Sequence, residues 1–128
     1  MSDLIESLYT IIERVLTSVK QNSGRMTDMI KIEMLEVAQK TVQGIAIEAP
    51  GGEGHPNMLV LQCKKGYIMC GYLNMDTADA VNDAAAVVSG ANFEALLCNP
   101  VKAVSKAAAA LGIEVGMTGA QAAEKLNA

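Results

Sequence analysis

The chain has 128 residues, of which 51% are hydrophobic, 19% charged and 3% aromatic, with no Trp, one Phe and three Tyr. Ten Lys and Arg face 14 Asp and Glu, a formal charge of -4. These proportions exclude a disordered chain, a collagen-like repeat and a base-stacking nucleic-acid module, and leave no basic footprint for nucleic acid or an anionic membrane.

Residues 3 to about 20 have the spacing of an amphipathic helix. Leu4, Ile5, Leu8, Ile11, Ile12, Val15, Leu16 and Val19 recur at three- and four-residue steps, with Glu6, Glu13, Arg14 and Lys20 elsewhere on the wheel. Ser2 or Asp3 can cap its start, and Gln21-Asn22-Ser23-Gly24 stops it. Ile5, Leu8, Ile12, Val15 and Val19 form a short heptad-like seam, which suits either packing on its own domain or a contact between subunits. Residues 1–28 thus read as a helix and linker ahead of a domain over 29–128. The acidic start is no secretory signal, and no apolar run approaches the roughly 20 residues that span a bilayer.

From Ile30 the period changes to two, predicting a strand to Val37 and a second over Val42–Glu48, joined by a turn at Gln39-Lys40. Pro50 to Asn57, with two Pro and three Gly, is a loop. Met58–Lys64 and Tyr67–Leu73 are apolar on both faces and predict a hairpin turning at Lys65-Gly66. Beyond Asn74 the chain turns Ala-rich. Asp76-Thr77-Ala78-Asp79 caps a short helix to about Asp83, Ala84–Ser89 forms a buried strand, and Asn92 caps a helix over Phe93–Cys98. Pro100 opens a helix that runs to Leu111 and stops at Gly112. Ile113-Glu114-Val115 is a brief extended piece, and Thr118 caps a last helix to about Leu126. The expected fold is a two-layer α+β unit: an N-terminal antiparallel β region with a hairpin, C-terminal short helices and the extra N-terminal amphipathic helix.

Three ordered motifs, Lys65-Gly66-Tyr67-Ile68-Met69-Cys70-Gly71-Tyr72-Leu73, Ala84-Ala85-Ala86-Val87-Val88-Ser89-Gly90 with Phe93-Glu94-Ala95-Leu96-Leu97, and Gly112 to Gly119, give the chain its familiar look. Over about residues 29–126 it resembles the YunC-like proteins, the domain of unknown function 1805. The resemblance implies a small bacterial or archaeal α+β fold whose N-terminal β region, here roughly Ile30–Glu48, mediates tetramer formation. It implies no reaction. Residues 1–28 are an extension to that pattern.

Cys63, Cys70 and Cys98 read as reduced, packed thiols of a cytosolic protein. With a Lys65-Gly66 turn, Lys64 faces Tyr67, Cys63 faces Ile68 and Leu61 faces Cys70. Cys63 and Cys70 are then diagonal neighbours about 7–8 Å apart, beyond comfortable disulfide reach. The enzymatic alternative makes Cys70 a nucleophile in acyl or thiol chemistry, with Lys65 or Tyr67 nearby and His55, the sole histidine, on the preceding loop. Asp76, Asp79 and Asp83 share a helical face but read as solvated, so neither a metal nor a cofactor is expected. A small molecule is expected near Lys65, Gly66, Tyr67, Cys70, Asn74, Thr118 and Gly119, polar or glycine positions at element ends. The functional expectation is a ligand-binding or protein-interaction module that self-associates as a tetramer or dimer of dimers, because short helices cover one face only of a sheet that is apolar on both.

Overall fold

A computed structural model of the chain describes residues 29–128. The expected N-terminal helix and its linker lie outside them. The fold is α+β: among the described residues, a six-stranded sheet in the order β1-β2-β3-β4-β5-β6 with four helices. The strands are β1 (Ile30–Val37), β2 (Lys40–Ile47), β3 (Met58–Gln62), β4 (Gly66–Met69), β5 (Ala84–Val88) and β6 (Val101–Val104). The helices are α1 (Met75–Ala80), α2 (Phe93–Cys98), α3 (Lys106–Ala110) and α4 (Gly119–Leu126). Neighbouring strands are antiparallel except β4 and β5, which run parallel with α1 in the crossover between them.

The first hairpin turns one residue earlier than its sequence suggests. Val37 pairs with Lys40, so Ala38 and Gln39 form the turn, both with positive φ (52° and 67°). A two-residue turn with both centres left-handed matches the twist of the flanking strands. Neither residue is a usual turn former, which is why the spacing pointed to Gln39-Lys40.

The second hairpin is displaced by two residues in register. Leu61 pairs with Ile68 and Gln62 with Tyr67, and Cys63 N–H donates to Gly66 O at 2.9 Å. Lys64 and Lys65 are therefore the turn, and Gly66 opens β4. A Cβ on Gly66 would lie 1.9 Å from Ala84 O, so β4 and its parallel neighbour approach too closely for any side chain there. The even slip preserves which side chains face the core. It also corrects the cysteine geometry: Cys63 lies opposite Gly66 and Cys70 beside Leu59, about four residues or 13 Å apart along the strands. Both are free thiols and buried, whereas Cys98, expected to be packed, is exposed.

The predicted helix from Pro100 to Leu111 is instead a strand and a short helix. Val101–Val104 pairs with β5, and α3 begins only at Lys106. Ser105 decides the boundary. Its wholly buried hydroxyl donates to Asp83 O (2.6 Å) and accepts from Ala85 N (2.9 Å) and Ala108 N (3.2 Å), using its full capacity. Pairing with β5 outweighs the helical propensity of the preceding residues. Ile113-Glu114-Val115 likewise joins no strand; buried Ile113 donates its N–H to Ala108 O, and the chain turns at Gly116 (φ 97°).

One face of the sheet carries the core. Val42, Leu59, Leu61, Ile68, Ala86 and Val88 are buried in one cluster with Phe93 and Leu96 of α2 and Ala122, Ala123 and Leu126 of α4. Two glycines let the helices in close. The Phe93 ring sits 2.9 Å from where a Gly44 Cβ would be, and a Cβ on Gly119 would fall 1.7 Å from Leu96 O. The opposite face differs along its width. At the β5 end α1 and α3 pack against the strand and Ala85 is fully buried. At the β1 end Ile30, Ile32 and Met34 stay 51%, 62% and 65% exposed.

Candidate functional site

Two parallel strands end on the same edge of a sheet, and a crossover connection of a dozen or more residues must join them. This sheet has such a pair, β4 and β5. Just beyond their last paired residues, Cys70 and Gly71 on one strand and Ser89 and Gly90 on the other line a cavity of about 450 Å³. Pro56, Asn57 and Tyr72 complete the wall.

Hydrogen bonds fix that wall. Asn57 Oδ1 accepts from Ala49 N (3.0 Å) while its Nδ2 donates to Ala91 O (3.1 Å), pinning the 49–57 loop to the segment after β5. Asn99 Nδ2 donates to Ser89 O at 2.7 Å. The Cys70 N–H donates to Leu59 O, and the Leu59 N–H donates to Cys70 Sγ at 3.3 Å, so the thiol is held in the ladder at the cavity's inner side. Tyr72, 42% exposed, reaches across the mouth, its O–H 3.5 Å from Pro56 O.

The glycines of the wall are not alike. A Cβ on Gly90 would meet Ala95 Cβ at 2.7 Å, so its bareness serves the packing of α2. A Cβ on Gly71 would meet nothing within 4 Å. A second hollow of about 510 Å³ is lined by Met117, Gln121, Glu124, Lys125 and Ala128. Its walls come from α4 and the residues beside it rather than from converging elements, and it offers less than the crevice.

Residues 69–126 match the domain of unknown function (DUF1805). The crystal structure of a protein of unknown function from Thermoplasma acidophilum is similar over 77% of this chain and 94% of that one, at 32% identity and a TM-score of 0.69. The chain belongs to the DUF1805 family. No curated protein matches it. In this DUF1805 chain the matched segment runs from the last residue of β4 through α4 and contains five of the cavity residues, Cys70, Gly71, Tyr72, Ser89 and Gly90.

The residues singled out from sequence do not converge. Of them only Cys70 lines the cavity. Lys65, Gly66 and Tyr67 lie at the opposite, amino end of β4, where Lys65 N donates to Leu126 O. The Tyr67 hydroxyl donates to Asp83 Oδ2 at 2.9 Å, and burial, then this bond and the carboxylate's charge, raise its pKa. Asn74 caps α1, and Thr118 forms a capping box with Gln121 at the start of α4. Gly119 is occupied by helix packing. Of the three aspartates read as one face, Asp79 accepts from Lys106 N and Asp83 from Tyr67, each serving a different neighbour. Among the described residues no cluster of three or more His, Cys, Asp or Glu is placed to hold a metal, and no helix is long and apolar enough to cross a membrane. Pro56, Asn57, Gly71, Tyr72, Ser89 and Gly90 were missed because the crevice arises from the parallel pairing of β4 with β5, which the run of apolar residues does not specify. Gly71 and Gly90, each following a buried strand, were the available signal.

Proposed function

We propose that the protein is a cytosolic, self-associating module that binds a small molecule in the crevice at the carboxyl ends of β4 and β5. The observation that carries this reading is the cavity itself, about 450 Å³ with residues converging from three segments of chain. Native mass spectrometry of the freshly purified chain, followed by amide NMR against a fragment library, tests it. The expected result is a copurifying mass, or fragment-induced shifts centred on residues 56–57, 70–72 and 89–90. Shifts centred elsewhere overturn it.

Self-association is supported by Ile30, Ile32 and Met34, apolar and more than half exposed on one face of β1, in the region that the family resemblance ties to a tetramer. Contiguous exposed apolar surface of this kind is characteristic of association sites. Light scattering at micromolar concentration is expected to give a tetramer or dimer of dimers, and a stable species at 13.4 kDa overturns it. The enzymatic reading, with Cys70 as nucleophile, has in its favour that the thiol borders the cavity. Against it, His55 folds back on its own loop, its Nδ1 3.0 Å from the Cβ position of Gly51. Alkylation of Cys70 as a function of pH separates the two, since a nucleophile reacts well below the ordinary thiol range.

A further inference from the structure

The chemistry of the cavity wall narrows what can occupy it, and this step rests on the reading of the crevice as a binding site. None of the lining residues is Asp, Glu, Lys, Arg or His: Asn57, Cys70, Tyr72 and Ser89 supply dipoles, Pro56 and the glycines apolar or bare backbone surface. An ion taken from water into such a site loses hydration with no opposite charge to replace it. The Asn57 carboxamide is fixed in orientation, since each end bonds a backbone group, with one lone pair and one N–H left over. What remains is a slot with an aromatic ring and a proline at its mouth and a side-chain-free stretch at Gly71.

Gly71 is the distinctive position. Gly44, Gly66, Gly90 and Gly119 are each filled to contact by a neighbouring group, so their lack of a side chain is explained by packing. Gly71 has open space where its Cβ would be, and its φ is not left-handed, so neither packing nor backbone conformation requires glycine. Gly71 is exposed and lines the cavity, so a side chain there would stand at its edge.

We propose that the crevice takes a small uncharged molecule with a flat, largely apolar body, and that Gly71 sets its specificity by letting that body lie against the backbone. The test uses the full chain and three sets of size-matched fragments, neutral aromatic amides, aromatic carboxylates and aromatic amines, titrated by ligand-observed NMR into the wild type, Gly71→Ala and Gly71→Val. Thermal melts of the variants accompany it, and Gly71→Ala carries the comparison should the valine lower the melting temperature. The expected result is binding of the neutral set, weakened about tenfold by Gly71→Val, which corresponds to roughly 1.4 kcal/mol, and less by Gly71→Ala. Binding of carboxylates or amines that Gly71→Val weakens overturns the proposed ligand class and leaves the crevice as a site. Binding indifferent to both variants, or none by any set, overturns the site as well.

Discussion

The two ends of the β4–β5 pair are built from similar residues to opposite effect. At the amino end, Gly66 brings the two backbones so close that a Cβ would sit 1.9 Å from Ala84 O. The Lys64-Lys65 turn there is tied to α4 through Lys65 N on Leu126 O and Lys64 N on Asn127 Oδ1. At the carboxyl end the strands part, Gly71 faces empty space, and the opening is walled rather than filled. A glycine is therefore ambiguous until its surroundings are known. The same absent methyl seals one end and leaves room at the other.

The sealed end is where substitution should cost most. Gly66→Ala forces the β4–β5 backbones apart, and a loss of about 3 kcal/mol or more is expected in chemical denaturation, if the variant is soluble at all. An unchanged midpoint would show that the strands do not approach as described. Asn127→Ala should follow. This buried side chain accepts from Lys64 N at 2.7 Å and donates to Thr41 O at 3.3 Å, joining the second hairpin's turn to the start of β2. Removing it strands two backbone groups, and a loss of about 2 kcal/mol is expected; a loss below about 0.5 kcal/mol would mean that water replaces both bonds.

Cys63, beside that turn, sharpens the contrast through pH. Burial pushes its thiol up to about 11 from 9.0. The folded chain then holds a proton that the unfolded chain has lost, so stability is intact below pH 9 and falls as pH rises from about 9 toward 11. The slope from this group is at most about 1.4 kcal/mol per pH unit. Denaturation midpoints across that range, wild type against Cys63→Ala, read it directly: the alanine variant should decline less steeply. Alkylation should also reach exposed Cys98 long before Cys63, and equal rates would contradict the burial.

Much of this architecture was legible in the chain. β1, β5 and the caps Asn92 and Thr118 follow from local pattern, because alternation and capping are properties of adjacent residues. What local pattern could not supply was partnership. Val101–Val104 is a strand only because β5 lies beside it, and the register of β3 on β4 follows from a turn placed at Lys64-Lys65 by Gly66 and its contact with Ala84. The candidate site was missed for the same reason. Lys65, Gly66 and Tyr67 look distinctive in sequence because they build the sealed end, whereas Ser89 and Gly90 meet Cys70 and Gly71 only after β4 and β5 pair in parallel.

The smallest effect on stability is expected at the open end, and it is the most discriminating. Gly71→Ala adds a methyl that touches nothing within 4 Å, at a residue outside the left-handed region. Such a replacement restricts the unfolded chain more than it disturbs the folded one, so a gain of about 0.4–1 kcal/mol is expected in denaturation. A comparable gain at Gly90 is excluded, because its Cβ would press on Ala95 at 2.7 Å and Gly90→Ala should instead destabilise. The pair therefore separates vacancy from packing on two sides of one cavity. If both variants lose stability alike, the space at Gly71 is closed in solution and the crevice is not the open slot described. If Gly71→Ala is stabilised yet binds neutral fragments more weakly than the wild type, the glycine is retained at the expense of stability, and occupancy of the crevice is the property it preserves.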